Sequence, residues 1–211
     1  MNPATSEAIL RTHTGPSLLD AAFPRLLPGL SAPIRATLLA IAGSMLLIAS
    51  AKVQVPMWPV PMTMQSFVVL FLGAALGPRL GAAAVALYLA QGFAGLPVFA
   101  MPSAAGPGYF LGTTGGFLLS FIPAAWVAGH FARQGSSLFR VGAGMMLAHA
   151  LILGLGMAWL AWLAQLASGA TGVGLGRAFA VGVQPFVIGS VMKVALATAL
   201  VAAGWSLVRR R

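Results

Sequence analysis

Hydrophobic positions along this chain gather into six long runs, separated by breaks rich in polar residues, glycine and proline. The runs lie at about 34–51, 62–76, 80–96, 115–132, 141–167 and 178–208. A helix needs roughly 20 mostly apolar residues to cross the hydrocarbon core of a bilayer. The second run is short by that measure, and the fifth is long enough to tilt. The pattern predicts an all-α integral membrane protein with six transmembrane helices. No internal repeat is visible, so a carrier built from inverted repeats is not favoured. Ahead of the runs, residues 1–33 are polar or broken by Pro3, Pro16, Pro24, Pro28 and Pro33. The chain thus divides into an N-terminal cytoplasmic or interfacial segment, 1–33, and a membrane domain, 34–211. Residues 17–30 read either as a mobile tail or as a short interfacial helix turning Leu18, Leu19, Phe23, Leu26 and Leu27 toward lipid. Glu7, Arg11, His13 and Asp20 interrupt any short apolar core that would make a cleavable signal.

Composition sharpens the class. Hydrophobic residues make up 59% and charged residues 7%, where a soluble domain carries roughly 25% charged. The net charge of +10 does not point to nucleic acid, because the basic residues are scattered and mostly border the apolar runs. Their distribution instead orients the bundle in its lipid bilayer. With the N-terminus inside, Arg11, Arg25, Arg35, Arg79, Arg133, Arg140, Arg209, Arg210 and Arg211 all fall on the cytoplasmic side. Only Lys52 and Arg177 fall outside. The positive-inside rule places both termini in the cytoplasm of a multi-pass protein of the cytoplasmic (inner) membrane.

Two connections on the outer side are unusual. Residues 52–61 read KVQVPMWPVP, with prolines that forbid a regular helix. Residues 97–114 read PVFAMPSAAGPGYFLGTT, rich in Gly and Pro but carrying Phe99, Tyr109 and Phe110. Long loops with apolar and aromatic content suit functional lids better than disordered linkers. They predict a pocket that opens outward beneath them.

Catalysis finds little support. No G-x-x-x-x-G-K-[ST] is present, the two acids are not placed for acid–base or metal chemistry, and His13, His130 and His149 are too dispersed for a metal site. With no cysteine, Fe–S clusters and thiolate zinc sites are excluded as well. No cofactor is expected. A pairing of Ser190 with His149 is conceivable, but no nucleophile elbow surrounds the serine. Polar groups at membrane depth are the better guide. Glu7 and Asp20, the only acids, precede the membrane domain, yet Lys193 sits midway along the last run. A buried cation needs partners. Backbone carbonyls and water, or an anion from outside the chain, must hold it. Gln65, Gln91 and Gln184 lie in or near apolar runs and, with Ser190 and Lys193, would suit a small substrate with a polar head and a carboxylate. On the first run, Ala32, Ala36, Ala40 and Ser44 recur every four residues and form a smooth face. Such a face packs closely on another helix of the chain, or on a second membrane protein.

Four blocks carry a family resemblance. VPMWPVPMTMQSF (55–67) resembles the I-P-x-x-P-V-P-x-T-x-Q signature of the BioY family, the biotin-binding S components of energy-coupling factor (ECF) vitamin transporters. LGAALGPRLGAAAVALYLAQGFAGLPVFA (72–100) is similar to its glycine-spaced stretch ending in G-L-P-V-F. GTTGGFLLSF (112–121) is similar to G-P-T-G-G-Y-L-x-G-F, and QPFVIGSVMK (184–193) resembles P-F-x-x-G-D-x-x-K. The blocks are in order and cover the chain from about residue 34 onward. The resemblance implies a six-helix S-component bundle that binds biotin from outside. It also implies partnership with an EcfT-type transmembrane coupling protein and ABC-type ATPases, in keeping with the missing P-loop. On that resemblance the small-residue face would meet the coupling protein.

Carried over by position, the resemblance assigns substrate binding to Gln65, Gly95, Phe99, Tyr109, Thr113, Thr114, Gly115, Phe117, Ser190 and Lys193. This chain departs from the family at Thr113 and Phe117, where proline and tyrosine are usual, and at Ser190, where the family has aspartate. Residues 190 and 193 are neighbours on one helix face, so the lysine loses its usual counter-charge. Lys193 then either sheds its proton or pairs with a bound anion, for which biotin offers a carboxylate. Gln65 and Ser190 would serve the ureido ring, and either end of biotin can face Lys193. Two further readings stand beside this one. The chain is an S component for another small vitamin or carboxylate, or it is an intramembrane serine hydrolase using Ser190 and His149.

Overall fold

The computed structural model describes residues 17–22, 29–101, 105–134 and 136–210, and these are predominantly helical. A short helix α1 (Leu18–Ala22) precedes α2 (Ala32–Lys52). Two-residue strands β1 (Gln54–Val55) and β2 (Met62–Thr63) then pair antiparallel, Gln54 opposite Thr63 and Val55 opposite Met62. Next come α3 (Gln65–Leu76), α4 (Pro78–Phe93), the short α5 (Pro107–Leu111), α6 (Gly115–Phe131) and α7 (Leu138–Trp162). The chain closes with α8 (Leu175–Gly182), a 3₁₀ turn (Gln184–Phe186) and α9 (Val187–Arg209). By length and composition α2, α7 and the α8–α9 unit can each cross a membrane, while α3 and α6 are shorter apolar helices.

Helix α6 is the hub, packed on α3, α4 and α7. Small residues permit this. A Cβ placed on Gly73 would lie 2.1 Å from the Ala125 carbonyl oxygen, so only glycine lets α3 press against the α6 backbone. Between α3 and α4 the chain reverses at Gly77, whose φ of +83° is open to glycine, and Pro78 starts the next helix with its φ already set. Helix α3 is only 12 residues long, about 18 Å at 1.5 Å per residue, well short of a bilayer core. Its first residues, Gln65 and Ser66, border a cavity filled out by the adjoining connections.

Several expectations are corrected. Leu18 does not turn toward lipid; it is buried among core residues and abuts Gly204 of α9. Phe23, Leu26 and Leu27 lie outside the described residues. The last apolar run is not one helix, because Pro185 removes a backbone donor and the chain passes through a 3₁₀ turn there. The fifth run stops being helical after Trp162, where positive-φ Gly169, Gly172 and Gly174 and a Gln165–Thr171 bridge fold the chain back. Along the small-residue face of α2, Ser44 is fully buried and donates to Gln91 Oε1 of α4 at 2.6 Å. That end of the face is occupied within the chain. Ala36 and Ala40 are half-buried and Ala32 is exposed.

Candidate functional site

Lys193 projects from α9 into the cavity beside the start of α3. Its Nζ donates to the Thr63 carbonyl at 2.6 Å and, more weakly, to Ser66 Oγ at 3.4 Å. Backbone and hydroxyl oxygens therefore hold two of the three ammonium protons. They are available because β2 ends at Thr63 and α3 starts only at Gln65, leaving the Thr63 carbonyl outside any helix ladder. No acid among the described residues lies nearby. Asp20, the one acid among the described residues, pairs with Arg35 at 2.6 Å and tethers α1 to α2. One turn before Lys193, Ser190 is buried and sits 2.8 Å from His149 Nε2 of α7.

Gln65 supplies an amide fixed from both ends. Its Oε1 accepts from Thr63 Oγ1 at 2.9 Å, and its Nε2 donates to the Tyr88 hydroxyl at 2.6 Å. One amide proton and one lone pair remain for another partner. Around these polar groups stands an apolar wall. Phe99 meets Tyr88 edge-on, stacks on Tyr109 at 5.2 Å between ring centroids, and meets Phe110 edge-on. Phe117, Phe121, Ile152 and Phe186 close the remaining sides. Burial raises the Tyr109 phenol above its usual value, while Thr114 beside it pulls the other way. Tyr109 therefore stays an uncharged hydroxyl near neutral pH.

The two long connections close over this cavity. Lys52 Nζ reaches from the end of α2 to the carbonyls of Phe99 at 2.5 Å and Pro97 at 3.1 Å, and Gln54 Nε2 donates to Ala100 O at 3.1 Å. On the other side Thr113 Oγ1 donates to Pro59 O at 3.0 Å, and Trp159 Nε1 donates to Gly112 O at 2.9 Å. The cavity volume is about 70 Å³, against roughly 300–1,000 Å³ for ordinary ligand pockets.

Of the residues expected to bind substrate, Gln65, Phe99, Tyr109, Thr114, Phe117, Ser190 and Lys193 line this one cavity. Three do not. Gly95 is an exposed turn residue with φ of +95°, and Thr113 is spent on the Pro59 carbonyl. Gly115 sits where a Cβ would fall 1.8 Å from Phe110 O, so it permits α5 to pack on α6 and does not face the cavity. Gln91 is bonded to Ser44, and Gln184 is exposed in the 3₁₀ turn; neither joins the cavity. Sequence reasoning anticipated Phe99, Tyr109 and Phe117 but missed Ser66, Phe121, Ile152 and Phe186, and it read His149 as a helix histidine bonded to a neighbour or, less favourably, as a catalytic partner of Ser190. The one signal for His149 was a polar ring in an apolar run, which by itself more often marks helix packing.

Residues 23–210 match the sequence model of the BioY family. The chain is 35% identical over 147 residues to a protein of Pyrococcus horikoshii described as a probable biotin transporter BioY, covering 70% of this chain and 82% of that one. It is 37% identical over 149 residues to the biotin transporter BioY of Rhodobacter capsulatus, covering 68% and 77%. In fold it resembles the crystal structure of the S-component for biotin from an ECF-type ABC transporter, with a TM-score of 0.68 at 20% identity, covering 87% of this chain and 96% of that one.

Proposed function

The chain belongs to the BioY family, and from that premise we propose that it captures biotin as the substrate-binding S component of an ECF-type uptake system. It is a transporter component, not an enzyme. The observation that carries the reading is the cavity bordered by the two connections, in which Lys193, Ser190 and the Gln65 amide face an aromatic wall. A bicyclic, apolar-bodied molecule with a ureido group and a carboxylate suits that lining: apolar surface for Phe99, Tyr109 and Phe117, polar groups for Gln65, Ser190 and Lys193. The Lys193 proton that Thr63 and Ser66 leave over is available to donate to an oxygen acceptor on the ligand.

In this reading the α2, α3, α4, α6, α7 and α8–α9 segments form six membrane spans with both termini in the cytoplasm, supported by the arginines of the inner loops. The membrane is the cytoplasmic one, and the cavity opens outward when the lid connections part. An EcfT-type coupling protein and ABC-type ATPases supply the energy, since binding alone cannot drive uphill uptake. The open part of the α2 face, Ala32, Ala36 and Ala40, is the part free to meet the coupling protein.

The contact of Ser190 with His149 does not make a hydrolytic site. His149 Nδ1 has no hydrogen-bond partner among the described residues, so nothing orients the imidazole as a base. Ser190 does keep a second reading open, an S component for a different small carboxylate, because a hydroxyl stands where its relatives' signature has an acid. Equilibrium binding tests both. The detergent-purified chain is titrated with biotin while Trp58 fluorescence is followed, with Trp58→Phe as control. Saturable quenching at or below micromolar biotin is expected. No binding at micromolar biotin, with tight binding of another small carboxylate, would overturn the assignment of biotin.

A further inference from the structure

Among the described residues, the hydrogen bond of His149 and Ser190 joins α7 to α9 through two side chains lining the cavity, and the biotin reading above gives it no task. His149 is 3% exposed, and its Nδ1 is buried without a partner among the described residues. A buried N–H without an acceptor is rarer than an unfilled lone pair. In the neutral ring Nδ1 therefore carries the lone pair and Nε2 the proton, so Nε2–H donates to Ser190 Oγ. A doubly protonated ring would add a second cation to the cavity that already holds Lys193, with Asp20 committed to Arg35. Once Ser190 Oγ accepts from His149, its own proton is left to donate, and no other described side chain takes it. Lys193, one turn further along α9, also has a proton left over.

We propose that His149 is a positioning residue. It fixes the Ser190 hydroxyl with its proton turned toward the ligand, so that Ser190 and Lys193 together make a donor-only pole selecting an oxygen acceptor on the substrate. The inference rests on the biotin reading above and deepens it. Biotin carries two such acceptors, the valerate carboxylate and the ureido carbonyl, and two analogues tell them apart. Biotinol lacks the carboxylate; 2-iminobiotin replaces the ureido oxygen with a nitrogen that donates.

The test is equilibrium binding of biotin, biotinol and 2-iminobiotin to the detergent-purified full chain. Biotin is expected to be preferred over one of the two analogues by about tenfold or more, which names the end that meets the pole. His149→Phe and Ser190→Ala should each shrink that preference by roughly fivefold, the worth of one hydrogen bond to an acceptor. His149→Gln, whose amide can still donate to Ser190, should keep it within about twofold. Because His149 acts through Ser190, adding His149→Phe to Ser190→Ala should change nothing further. A preference unchanged by His149→Phe, one lost equally in His149→Gln, or one lowered again in the double variant would each overturn the proposal. Failure of the unsubstituted chain to bind biotin is a separate result, and it would overturn the biotin reading itself.

Discussion

Lys193 holds two protein acceptors and has one proton left, and that surplus is what ties the residue to a ligand. Lys193→Met removes the charge while keeping the length of the side chain. Biotin affinity should fall by roughly 10- to 100-fold, the equivalent of about 1.5–3 kcal/mol for a hydrogen bond to a charged group, with helix content by circular dichroism unchanged. Equal affinity in the variant would make the lysine a structural tie to the Thr63 carbonyl and nothing more. A lone cation in a carboxylate-free membrane domain was conspicuous in the sequence, as was the hydroxyl at Ser190. His149 was not. A single histidine on an apolar helix shows its use only once α7 and α9 are seen to meet. Gly95, Thr113 and Gly115 also sit within recognisable motifs, yet they do not line the cavity: Gly95 lies in a turn, Thr113 bonds to Pro59 O and Gly115 lets α5 pack on α6. A motif records every constraint on a segment, backbone and ligand alike.

Among the long helices, α3 approaches the backbone of α6 closely at Gly73, where an added Cβ would lie 2.1 Å from the Ala125 carbonyl oxygen. Gly73→Ala forces a methyl group against the Ala125 backbone and should destabilise the bundle by about 1–3 kcal/mol or more, read as a lower unfolding temperature in detergent. Gly154→Ala on α7 is the matched control, because nothing lies within 4 Å of its Cβ position; it should be neutral or slightly stabilising. The lid depends on Lys52, which bridges α2 to the carbonyls of Pro97 and Phe99. Lys52→Met should quicken biotin release about tenfold, about 1.4 kcal/mol for a partly exposed charged bond, as measured by displacement with excess unlabelled ligand. An unaltered release rate would show that the aromatic stack alone keeps the lid shut. Apolar runs located most helices to within a few residues, since hydrophobicity is what drives them into the bilayer. They could not reveal the break at Pro185 as a bend within a span, nor that α3 starts late. Both depend on where the connections find hydrogen-bond partners.

For the whole molecule, the sidedness proposed here is open to direct labelling because the chain contains no cysteine. Single cysteines replacing Trp58 or Arg177 should react with an impermeant maleimide added to intact cells, while one replacing Arg79 should react only after the membrane is broken. The opposite pattern would invert the bundle and turn the cavity toward the cytoplasm. The helical, membrane-spanning class was legible at this scale because long apolar runs and few charges leave few alternatives. The proposed substrate came only through motif resemblance, since nothing in periodicity distinguishes one small carboxylate from another. Whether this cavity holds biotin decides the proposed function. Native mass spectrometry of the protein purified in mild detergent from cells supplied with biotin tests it most directly. A one-to-one adduct of biotin mass is predicted, much reduced in Lys193→Met. Protein free of adduct, or carrying a different small molecule that biotin cannot displace, would contradict the account.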